Sequence, residues 1–147
     1  MKADDLFHLG IVTDDLDATK DELSALLGYT WGPEVGGPIP VALPDGDRVV
    51  NLRCAYSITS PRLEVVAAVP DTFWQAGAGI HHLGYWSDDV DADCAELRDQ
   101  GFTTEATRAA PDGKLFFAFA RSSSGLLVEL VTRAAQPGLE GCWAAPQ

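Results

Sequence analysis

The sequence is short of cations and clusters none of them. Ten Lys and Arg stand against 22 Asp and Glu, a formal net charge of −12. So acidic a surface repels phosphate backbones and anionic lipid, which argues against nucleic acid and membranes as partners. Cysteines are also few. Cys54, Cys94 and Cys142 are odd in number and contain no CxxC pair. That argues against a disulfide framework or a thiolate zinc site and suits a reducing cytoplasm. No apolar run approaches membrane-spanning length, and the opening MKADDLFHLG carries no signal-peptide core. Hydrophobic residues are not scarce: at 46% they argue against disorder of the whole chain. At 147 residues, one domain spanning 1–147 is expected.

What the chain does contain is a repeat. HLGIVTDDLDA (8–18) and HLGYWSDDVDA (82–92) lie 74 positions apart and agree at seven of eleven places. Each sits in an apolar run that reads as a strand, LFHLGIV (6–12) and IHHLGYW (80–86). Each is followed by a helix start, with Asp14 and Asp88 expected as N-caps and Asp17 and Asp91 three positions on, as in a capping box. Apolar stripes then follow at helical spacing, Leu16, Leu23 and Leu27 with Leu26 alongside, and Val90, Cys94 and Leu97. Both helices are expected to stop at glycine, Gly28 and Gly101.

Beyond the helices, strands are expected near 48–58 and 62–68 in the first half and near 115–120 and 126–132 in the second. Weaker strands are expected near 39–43 and 103–108. The Gly- and Pro-rich stretch 32–47 reads as a loop around at most an edge strand, placed to shape a pocket. Residues 134–147 form a tail without a clear period, either loose or docked through Trp143.

Strand parity points to a site. Side chains alternate faces along a strand. Glu64 lies between Leu63 and Val65, and Glu129 between Val128 and Leu130. With those neighbours under helices, both carboxylates face the other side of the sheet. The same reasoning turns His8 away from Phe7 and Leu9, and His82 away from His81 and Leu83, and it gives His81 no ligand role. Two matched halves would bring two imidazoles and two carboxylates onto one concave surface. Such a set suits a divalent Fe, Mn, Co, Ni or Zn ion, and an octahedral ion keeps two positions open for substrate. Trp86 shares the parity of His82 and Phe117 the pocket wall. Arg62 shares the parity of Glu64, placed to hold a substrate carboxylate.

These residues carry a resemblance. The paired openings FHLGIV and HHLGYW, with the closing strands LEVV and VELV, resemble the vicinal oxygen chelate (glyoxalase/bleomycin resistance/dioxygenase) superfamily, its epimerase-like group in particular. The resemblance implies an α+β fold: two tandem βαβββ modules, at 5–70 and 78–133, forming a curved mixed sheet around a central pocket. It implies metal ligands at His8, Glu64, His82 and Glu129, with Glu129 and Glu64 as the catalytic bases. The implied activity is that of a metal-dependent isomerase, epimerase or lyase, removing a proton next to a metal-bound carbonyl of a small molecule, possible substrates being of carbonyl or acyl-CoA type. A cytoplasmic homodimer is implied as well. The alternatives are an Fe(II) extradiol-type dioxygenase, in which Glu64 would stand idle, and a metal-free small-molecule binding or resistance protein.

Overall fold

The computed structural model describes residues 1–77 and 79–144. Residue 78, where the second half was expected to begin, and residues 145–147 of the tail lie outside the described residues. The order of elements is β1 (Leu6–Thr13), α1 (Leu16–Leu27), β2 (Val35–Leu43), β3 (Gly46–Tyr56), β4 (Leu63–Ala67), β5 (His82–Ser87), α2 (Val90–Asp99), β6 (Thr103–Ala109), β7 (Leu115–Arg121), β8 (Leu127–Thr132) and α3 (Gln136–Ala144). The eight strands form one mixed sheet that closes into a barrel, in the order β1-β4-β3-β2-β6-β7-β8-β5. β1–β4 and β5–β8 pair in parallel, and β1 meets β5 antiparallel within the same chain.

Three apolar clusters follow from this closure. Leu16 and Leu23 of α1 cover Leu9, Ile11, Leu63 and Val65 on the outer face of β1 and β4. Val90, Cys94 and Leu97 of α2 cover Tyr85, Ala118, Val128 and Leu130 on the outer face of β5, β7 and β8. The third cluster fills the barrel with the opposite parity, among it Val12, Cys54, Tyr56, Val66, Trp86, Phe117, Phe119 and Val131. Burial of alternate residues on both faces is the physical reason these strands read as apolar runs rather than as a clean alternation.

Local details depart from the sequence expectations in four places. The N-caps are Asp15 and Asp89, one residue later than expected, accepting from the Ala18 and Ala92 amides. Asp88 is instead ion-paired with Arg133. Leu26 and Leu27 are not in the α1 stripe, being 72% and 66% exposed. A register shift between Leu6 and His8 turns Phe7 inward, where it stacks on Trp86 at 3.7 Å. Residues 35–43 form a full strand, hairpinned with β3 from Val35↔Cys54 to Leu43↔Gly46. Pro38 and Pro40 are tolerated there because they alternate along β2, and the β6 side of that strand carries a single pairing, Ala42↔Thr107. Of the two expectations for the tail, docking holds: α3 buries Trp143 against Phe7 and Tyr56, under the Arg62 guanidinium.

Candidate metal and acid–base site

Register builds the site. Leu9 of β1 faces Leu83 of β5, so His8 pairs with Gly84 and Gly10 with His82. The parallel neighbours continue each row, Gly10 with Glu64 and Gly84 with Glu129. Two rows therefore cross the barrel wall, Glu64–Gly10–His82 and His8–Gly84–Glu129. In each, a glycine separates an acid from an imidazole and leaves room for them to meet. A Cβ on Gly10 would stand 2.0 Å from the His82 ring, and one on Gly84 would stand 2.0 Å from the His8 ring.

The side chains do meet. His8 Nε2 lies 3.1 Å from Glu129 Oε1 and 3.6 Å from Glu64 Oε1. His82 Nε2 lies 3.2 Å from Glu64 Oε1 and 3.5 Å from Glu129 Oε1. The two Nε2 atoms are 3.0 Å apart. All four residues are buried, and one donor atom from each lies within 4.8 Å of every other. Donors about 2.0–2.2 Å from a divalent ion stand about 3–3.6 Å from one another in octahedral or tetrahedral arrangements. The donor set and its spacing therefore fit such an ion. One orphaned atom points the same way, since the buried Glu129 Oε1 finds no well-aligned donor among the described residues.

The electrostatics are those of a cation site. Burial alone would raise the Glu64 carboxyl, but the neighbouring His8 charge and the His82 hydrogen bond outweigh it and hold the group down at about 2. Burial alone would lower His82, yet hydrogen bonds to Glu129 and Glu64 push it up to about 9. Burial, reinforced by the Glu64 charge, raises the Cys54 thiol and the Tyr56 phenol, so both stay neutral. Without metal, the His82 contribution to stability is complete below its ordinary value of 6.5 and fades as pH climbs to about 9. The Glu64 contribution is complete above 4.5 and fades as pH falls to about 2. The chelated protein is thus expected to melt highest between about pH 4.5 and 6.5. A melting temperature in EDTA that rises from pH 6.5 to pH 9 contradicts this network.

Glu64 and Glu129 also line a cavity of about 210 Å³ inside the barrel, walled by Ile39, Cys54, Tyr56, Phe117 and Val131. A larger hollow of about 400 Å³ lies outside, at the β2–β6 seam, and none of the four site residues reaches it. Phe117 stands in the wall of this cavity. Trp86 is in the barrel core against Phe7, and Arg62 donates to the Ser57 and Ile58 carbonyls and covers Trp143. Neither lines the cavity. Arg108 of β6 does, with its guanidinium 4.7 Å over the Phe116 ring and no hydrogen-bond acceptor among the described residues. Parity reasoning missed it because β6 carries register shifts on both sides of it, between Thr104 and Ala106 and between Arg108 and Ala109.

A profile of the Glyoxalase/Bleomycin resistance protein/Dioxygenase superfamily matches residues 7–119. The chain belongs to this superfamily. Among solved structures, a variant of the Streptomyces coelicolor methylmalonyl-CoA epimerase in complex with 2-nitronate-propionyl-CoA is 28% identical, with a TM-score of 0.61 over 88% of this chain and 97% of that one. A methylmalonyl-CoA epimerase in complex with methylmalonyl-CoA and NH4+ is also 28% identical, with a TM-score of 0.59 over 88% and 94%. The Mycobacterium tuberculosis methylmalonyl-CoA epimerase, at 24% identity and a TM-score of 0.59 over 91% of each chain, shares the fold. Comparison with curated proteins gives no match. Superfamily membership and the epimerase likeness support an enzyme of isomerase or epimerase type acting on a small molecule. Among the described residues, no helix is long and apolar enough to cross a membrane.

Proposed function

We propose that this protein is a metal-dependent epimerase or isomerase that removes a proton beside the carbonyl of an acyl-CoA-type substrate and returns it. The observation that carries the reading is the pair of carboxylates, Glu64 of β4 and Glu129 of β8, which line one cavity and share one buried cluster with His8 and His82. In the same reading, residues 5–70 and 78–133 are tandem βαβββ modules, and the near-twofold relation of the two rows is their signature.

His8, Glu64, His82 and Glu129 would hold the cation, which supplies Lewis acidity toward a carbonyl oxygen in the cavity. The chain's own part is proton transfer. One carboxylate takes the α-proton while the other, carrying a proton in that form of the enzyme, returns one to the opposite side and inverts the centre. The two forms, which differ in which carboxyl is protonated, act on opposite epimers and interconvert by exchange with solvent. The buried wall of Ile39, Phe117 and Val131 keeps water from quenching the carbanion. Glu64 belongs to the same buried group as the other three, which favours this chemistry over a dioxygenase triad in which it would stand idle. All four groups come from one chain, so a homodimer, also part of this reading, would complete no ligand set.

The two 28% identical epimerase structures, one with methylmalonyl-CoA bound, motivate the substrate class. The decisive test is to incubate metal-loaded protein with methylmalonyl-CoA and a panel of other acyl-CoA thioesters in D2O. The expected result is deuterium at the α-carbon with inversion for at least one of them. No exchange across the panel overturns the reading. Arg108 is placed to bind an acidic group of the substrate. Arg108→Gln should raise KM about 10-fold or more with kcat within a few-fold, as expected for loss of a charge-assisted contact made equally in ground and transition states. An unchanged KM removes that role.

A further inference from the structure

His81 lies outside the ligand set, yet it touches it. Its Nε2 is 2.9 Å from the Phe73 carbonyl oxygen, and its Nδ1 is 2.9 Å from His82 Nδ1. Hydrogen positions follow from the chemistry of the partners. A carbonyl oxygen only accepts, so His81 Nε2 carries the hydrogen. In a neutral imidazole the other nitrogen then holds a lone pair, and His81 Nδ1 accepts. His82 Nδ1 must supply that hydrogen. Once a cation takes the place of the proton that His82 Nε2 shares with the carboxylates, that nitrogen presents a lone pair, and it is the atom that faces His8, Glu64 and Glu129.

We infer that His81 is a positioning residue, which fixes His82 in the Nδ1–H tautomer and aims its Nε2 lone pair at the cation. The anchor of the relay is built into the link between the two halves. Gln75 and Thr72 side chains both bond the Val69 carbonyl, the Trp74 ring is buried, and the Phe73 ring packs edge-on against Phe119 at 4.9 Å. The Phe73 carbonyl is thereby held in place for His81. His8 has no equivalent. Its Nδ1 finds no acceptor among the described residues, and on that distal side the ring has only edge contacts with Phe7 and Tyr56. Of the two imidazoles, His82 is the oriented one. A partner on the distal nitrogen both orients a ligating histidine and raises its basicity.

The inference rests on the metal reading above, and zinc affinity, which is independent of turnover, separates the two. Zinc binding is measured by competition with a chromophoric chelator, with melting of the chelated proteins as a check on folding. His81→Phe keeps a ring beside Phe73 but deletes the acceptor, and it should weaken zinc binding about 10- to 100-fold. His81→Asn offers an amide oxygen near the Nδ1 position and should bind within about threefold of wild type. Nitrogen-15 spectra of the zinc-loaded wild type should show His82 protonated at Nδ1 and not at Nε2, a signature that holds even where the Phe variant does not fold. Zinc bound as tightly by a folded His81→Phe protein, or a His82 ring protonated at Nε2, overturns the role of His81 alone. A wild type that binds no divalent ion overturns the metal reading and this inference with it.

Discussion

Glu129→Gln is expected to lower epimerisation about 10³-fold or more while the melting temperature of the chelated protein moves by only a few degrees. The amide keeps the volume of the carboxyl but neither takes up a proton nor carries charge. Glu129 is an acceptor for the site histidines, and the Gln amide oxygen still offers an acceptor there, so the fold loses the charge of that contact and not the contact itself. Zinc affinity should fall as well, and assays at saturating metal separate loss of the ligand from loss of the base. Solvent exchange sharpens the result. With two bases on opposite sides, Glu129→Gln and Glu64→Gln should each still exchange the α-proton of one epimer, and the two variants should differ in which. Wild-type turnover in Glu129→Gln, or equal exchange of both epimers in either variant, would eliminate the two-carboxylate mechanism.

Why the four site residues were readable from sequence, and others were not, follows from what parity encodes. On β1, β4, β5 and β8, apolar neighbours under α1 and α2 fix which face each polar residue takes, and a one-residue error would flip the whole strand. His8, Glu64, His82 and Glu129 therefore declared their common side. Where the ladder is irregular, parity carries nothing. Phe7 sits at a register shift and turns inward; Arg108 sits at another and reaches the cavity unannounced. Arg62 has the right parity but is occupied by the Ser57 and Ile58 carbonyls and by Trp143 from α3, contacts distant in sequence or specific to the loop. The caps slipped by one because tandem aspartates, Asp14–Asp15 and Asp88–Asp89, offer two equivalent side chains, and the Arg133 pairing that occupies Asp88 is a tertiary contact. The stretch 32–47 reads as a loop around at most an edge strand near 39–43 because Gly and Pro are turn formers by local propensity. The hairpin of 35–43 with β3 overrides that.

Gly10→Ala and Gly84→Ala are expected to be the most damaging single-methyl changes to the four-residue site. Neither glycine needs a left-handed backbone; what each provides is space. The added methyl of Gly10→Ala would meet the His82 ring at 2.0 Å, and that of Gly84→Ala the His8 ring at 2.0 Å. His82 has little freedom to yield, since its Nδ1 is tied to His81 and Phe119 packs edge-on at 5.1 Å. Overpacking a rigid core costs about 1–3 kcal/mol, and a clash with a tethered ring belongs at or above the top of that range. Zinc affinity should drop about 100-fold or more in either variant, because the displaced imidazole is a ligand. Gly138→Ala in α3, where a new Cβ meets nothing within 4 Å, is the control and should be neutral or slightly stabilising. A double-mutant cycle tests the cause. In a His82→Ala background the ring is gone, so adding Gly10→Ala should cost almost nothing in stability, while metal binding stays lost. If Gly10→Ala is as destabilising without the imidazole as with it, the glycine serves the backbone rather than the neighbouring half. The repeated HLG would then need another explanation than the one given by register, in which each half supplies the opening that the other half's histidine fills.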